Sequence, residues 1–124
     1  MGIDFAYIKR ERLPIGTRPH WSYSGFSHFR TRLAEAVGIE LDQMDGFKAD
    51  GREWTEFASD PIVKLLNHSD CDGQLTCEEC RAIAPRLREL IAKWSDDDYD
   101  KDHASKLASM MEQCAANEWD LEFC

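Results

Sequence analysis

Residues 68–79 read His-Ser-Asp-Cys-Asp-Gly-Gln-Leu-Thr-Cys-Glu-Glu, and this run concentrates the side chains best suited to chemistry. Two ion chemistries are available there. Carboxylates at alternate positions before Gly73, with a glutamate further along, suit a hard cation such as Ca²⁺, which takes about six to eight oxygens. The same stretch holds His68-x-x-Cys71 and Cys77-x-x-Cys80, two paired units of Zn²⁺ ligands. A third reading needs no ion. Asp70-Cys71-Asp72-Gly73 is a turn, Thr76 and Glu79 have capping-box spacing, and the run is then a bare joint between helices. Cys77 and Cys80 in a first helical turn share a face where the helix dipole lowers a thiol pKa, which would permit a Cys-x-x-Cys redox role. A Cys71–Cys80 disulfide is sterically open and disfavoured in a reducing compartment. His20 and His28, beside the aromatic run from Trp21 to Phe29, join His68 as acid–base candidates for an enzyme that pairs histidine with nearby carboxylates.

The run resembles the EF-hand calcium loop, over twelve residues plus the flanking helices. Aligned on Gly73, the resemblance implies a metal set of Asp70, Asp72, the Gln74 carbonyl, Thr76 and Glu79. Leu75 falls at the loop's apolar position. The first position, aspartate in the family, is His68, a poor partner for a hard cation. No second loop occurs, although such hands work in pairs.

The elements that must position this run follow from apolar spacing. Ile3, Phe5 and Tyr7 alternate, which predicts a strand over residues 3–8. Residues 11–23, with Pro14, Gly16 and Pro19, read as a loop. Ser22 or Ser24 can cap a helix whose stripe is Phe26, Phe29, Leu33 and Val37, closed by Gly38. Asp45-Gly46 and Asp50-Gly51 are turn signals. Asp60-Pro61 predicts a helix start, followed by Ile62, Val63, Leu65 and Leu66 and ending near Asn67. The helix opened by Thr76 buries Ile83, Leu87, Leu90, Ile91 and Trp94, and Pro85 should kink or divide it. Residues 96–102 read as an acidic connector. Leu107, Met110, Met111 and Cys114 define a last helix, and residues 119–123 alternate as a half-buried strand. The expected fold is mainly α (α+β): a single domain over residues 1–124, a bundle of about four to five helices with a small two-stranded sheet pairing the N- and C-terminal strands.

Composition narrows the function. The chain has 124 residues, 43% hydrophobic and 31% charged, with a formal charge of −9. Residues 1–33 carry six Lys/Arg against two Asp/Glu, and residues 34–124 carry nine against twenty-two. A net acidic surface argues against direct nucleic-acid binding and suits a cation or a basic partner. The basic opening segment is expected to dock on the acidic remainder. No apolar run approaches the roughly 18 residues of a membrane span, and no signal peptide is expected. Five cysteines, an odd number, then read as reduced thiols in a cytoplasm. No phosphate loop, dinucleotide fingerprint or nucleophile elbow is present.

Three stretches together, Trp21-Ser-Tyr-Ser-Gly-Phe26, Asn67-His-Ser-Asp-Cys-Asp-Gly73 and Ile83-Ala-Pro-Arg-Leu87, look like a family of small uncharacterised proteins of bacteria and their phages. That resemblance implies a setting, a phage or mobile-element accessory or inhibitor, and no activity. The sequence therefore predicts a small acidic non-enzymatic protein that acts on a protein partner. A calcium- or zinc-binding module and a histidine/carboxylate enzyme stand as its alternatives.

Overall fold

Local signals set most of the helix ends. The computed structural model describes residues 2–7, 19–44, 47–68 and 73–123. Helix α1 spans Tyr23–Ala36, and the Ser22 hydroxyl caps it by accepting the Gly25 N–H at 3.0 Å. Its far end closes through Gly38, at φ +78°, a backbone shape that costs glycine nothing. Gly38 N–H donates to the Glu35 carbonyl and Ile39 N–H to the Ala34 carbonyl, which satisfies carbonyls that the helix leaves over. Phe26, Phe29 and Leu33 are buried along one face, as their spacing requires.

A short 3-10 turn at Leu41–Gln43, a second at Trp54–Phe57 and the bridge between Met44 and Arg52 carry the chain to α2, Val63–Leu66. The helix starts two residues later than Asp60-Pro61 predicts. The Asp60 carboxylate still accepts the Ile62 N–H at 3.1 Å, so it caps the tight turn that leads in. The Asp45-Gly46 turn signal lies outside the described residues.

Helix α3 spans Cys77–Ile91 and opens with the expected capping box. Pro85 does not divide it. Proline removes the N–H that would reach the Arg81 carbonyl, but both residues are exposed and water can take that carbonyl. Helix α4 spans Tyr99–Asn117. Part of the predicted acidic connector is therefore its first turn. Asp98 is the cap, and Asp100 and Asp102 sit where the helix dipole favours negative charge. The two long helices pack along Cys80, Ile83, Ala84, Leu87 and Ile91 of α3 and the buried Ala104, Leu107, Ala108, Met111 and Cys114 of α4.

The N- and C-terminal strands pair as expected: β1 (Phe5–Tyr7) runs antiparallel to β3 (Leu121–Phe123), with Phe5 opposite Phe123. A third strand, β2 (Gln74–Leu75), joins β3 on its other side, giving the order β1-β3-β2. The fold is mainly α with this small sheet at one end. Phe5, Trp21, Phe26, Phe29 and Phe123 fill the junction, with Trp21 stacked on Phe29 at 4.5 Å and Phe5 against Phe123 at 4.9 Å. Such pairs add about 0.5–1.5 kcal/mol each beyond the area they bury.

Candidate functional site: the joint at 68–79 and the groove beside it

Of the proposed ion ligands, Asp70, Cys71 and Asp72 lie outside the described residues. The others are placed as follows. The His68 ring stacks on Phe123 at 3.8 Å, and its Nε2 lies 3.1 Å from the Gln74 carbonyl, so the Nε2-protonated tautomer donates there. That carbonyl is the backbone oxygen the calcium reading requires. Gln74 and Leu75 form β2, and Leu75 is buried opposite Leu121. Gly73 has φ +93°, and a Cβ there would stand 3.1 Å from the His68 ring, so glycine permits both the turn and the close approach. Thr76 and Glu79 hold each other: the Thr76 hydroxyl accepts the Glu79 N–H at 3.2 Å, and the Glu79 carboxylate accepts the Thr76 N–H at 2.9 Å.

Cys77 and Cys80 go separate ways. Cys77 is half-buried, and its N–H donates to the Asp120 carboxylate at 3.2 Å. Cys80 is fully buried against Cys114 of α4, and both are free thiols. The expected acidification of these thiols is reversed. Desolvation raises the Cys77 pKa, and the negative charge of Glu78 adds to it. The hydrogen bond with Cys114 and burial push Cys80 well up. Among the described residues, no group of three or more His, Cys, Asp or Glu side chains could hold a metal ion.

The histidine candidates also separate. His28 is exposed on α1. His20 has its Nδ1 2.7 Å from Asp4, and its backbone is clamped by α4. His20 N–H donates to His103 Nδ1 at 2.9 Å, and the Tyr99 hydroxyl donates to the His20 carbonyl at 2.6 Å. Tyr99 and His103 stack at 4.1 Å, one helical turn apart. Next to them the Trp21 indole N–H donates to Asp100 at 2.9 Å, while Arg32 bridges Asp98 and Asp100 at 2.8 Å. The Arg32 guanidinium also lies 3.8 Å over the Trp94 ring and holds the Asp98 carboxyl below its usual range. Arg32 of the basic opening segment pairs with this acidic cluster, while Lys9, Arg10, Arg12 and Arg18 lie outside the described residues.

Sequence reasoning missed His103 and Tyr99, and it read Arg30 only as part of the basic opening segment. The first two are four apart, a helix spacing hidden by the aspartate run around them. Arg30 stands inside the apolar stripe of α1, and that position was the signal. It is buried, donating to the Leu66 carbonyl at 3.2 Å and the His68 carbonyl at 2.5 Å, at the end of α2 where carbonyls lack helical partners.

Beside the joint, the 54–57 turn, α2, β2 and the first turns of α3 enclose a groove of about 850 Å³. Trp54, Pro61, Val63 and Ala82 give it an apolar lining, and Asp60, Lys64, Glu78 and Glu79 its charge. Phe47, 38% exposed, meets Trp54 edge-on at 6.4 Å and extends the apolar surface outward. The groove falls within the usual range of ligand sites, about 300–1,000 Å³.

Comparison of the chain with protein-family models, curated proteins and solved structures finds no match. Among the described residues, no helix is long and apolar enough to cross a membrane.

Proposed function

We propose that the chain is a small non-enzymatic binding protein that engages a protein partner through the groove between α2 and α3. The groove carries this reading. It joins a half-buried tryptophan to an exposed phenylalanine and an apolar wall, the composition that dominates binding energy at protein interfaces. Three of the titratable side chains that line it serve the fold: His68 ties α2 to β2, Glu79 caps α3, and Asp60 pairs with Arg86 at 2.9 Å.

A photo-crosslinking residue at Lys64, an exposed position on the groove wall, tests this in the source cells. Crosslinks to one discrete protein, lost in Trp54→Ala and retained in Trp54→Phe, are expected. The same crosslink in a Trp54→Ala protein of normal melting temperature overturns the reading.

A further inference from the structure

We infer that the occupant of this groove is a short basic segment of the partner, an apolar side chain flanked by lysine or arginine. The inference rests on the binding-protein reading above and adds the chemistry of the bound segment. Three carboxylates, Asp60, Glu78 and Glu79, line the groove against one ammonium, Lys64. Arg86 already answers Asp60 through two of its guanidinium nitrogens, and the Glu79 carboxylate faces the Thr76 N–H. With Asp60 answered by Arg86, Glu78 and Glu79 stand against Lys64, a local excess of negative charge, and Glu78 is the exposed member, on the first turn of α3.

Occupant chemistry follows from these charges. An acidic segment would face Glu78 and Glu79 in the groove lining and be repelled, in a chain whose formal charge is already −9. A purely apolar segment that covered Glu78 would strip water from it without replacing its hydrogen bonds, and one that did not would leave its charge unanswered. A basic segment removes both costs and leaves its apolar residue for Trp54 and Val63. Size favours a segment over a folded face. A space of about 850 Å³ admits a few side chains, and it lies between helices instead of on a broad plane.

The test uses the full chain, labelled with nitrogen-15, and a synthetic peptide with leucine and lysine at helical spacing. A twin peptide carries glutamate in place of every lysine. The lysine peptide is expected to shift the amides of Trp54, Val63, Glu78 and Ala82, and the twin to shift none of them. Glu78→Lys should weaken binding about tenfold and Lys64→Glu should tighten it several-fold. Raising salt from about 0.05 to about 0.5 M should weaken it as well. Equal binding of the twin, shifts confined to other surfaces, no binding of the lysine peptide, or charge reversals without effect on affinity each overturn the inference. The crosslinking experiment reads separately. A Trp54-dependent crosslink together with an inert lysine peptide keeps the binding-protein reading and removes the basic occupant.

Discussion

His103 is the side chain whose charge state the fold constrains most plainly. Its Nδ1 accepts the backbone N–H of His20, which a protonated ring could not do, and its side chain is 15% exposed. Burial lowers its pKa below the ordinary 6.5, and Lys106 acts in the same direction against Asp102. The folded state therefore prefers the neutral ring. Its contribution is complete above pH 6.5 and is lost as pH falls from there through the lowered value, because the unfolded chain takes up the proton first. Urea melts of the wild type should weaken over that window. His103→Asn keeps an acceptor near the Nδ1 position and removes the titration, so its stability should stay level across the same range. Parallel slopes for the two proteins would refute the linkage. Asp98 works in a lower window. Its pKa is depressed by Arg32, so its contribution stands above the ordinary 3.8 and disappears on further acidification. Neither structural role was legible in the sequence. The partners of His103 and Tyr99 lie about eighty positions away, and no local pattern encodes a contact of that span.

At the scale of elements, local chemistry decided what the sequence disclosed. Helix α1 was readable at both ends, because a serine cap, a three-and-four apolar stripe and a left-handed glycine all lie within sixteen residues of one another. The start of α4 was not, because Asp98 is one aspartate among several and a cap differs from its neighbours only by backbone angles. Helix α3 tests a different rule. Pro85 sits on its exposed side, so the helix runs on at the cost of one hydrogen bond. Pro85→Ala restores the N–H and should raise stability by about 1–2 kcal/mol, less than the full helix penalty because proline also stiffens the unfolded chain. Thermal and urea denaturation measure it. A destabilised variant would mean that Pro85 makes a packing contact worth more than the missing bond. The joint at 68–79 was half legible: its turn glycine and capping box are where the pattern put them. The strand at Gln74–Leu75 was hidden because its partner strand lies more than forty residues on.

For the whole molecule, the sheet ties regions that are far apart in the chain. Phe123 faces Phe5 in β1 and the His68 ring at the end of α2, and it is 2% exposed. Phe123→Ala should cost about 3–5 kcal/mol. Amide exchange should show the loss at β1 and β2 together, and a loss confined to β3 would show that the three strands do not open as one unit. The mainly α fold and the pairing of the two terminal strands were foreseeable from periodicity. The groove was not, since its lining comes from four segments whose approach depends on the packing of α2 against α3.

The strand order carries a consequence for biosynthesis. β3 is the middle strand of the sheet and the last described element to be translated. While the nascent chain emerges, β1 and β2 have no neighbour between them, and Phe5 and Leu75 lack the cover that Phe123 and Leu121 later supply. The helices can collapse early on local contacts, but the end of the molecule that holds His68 is completed only once β3 has cleared the ribosome.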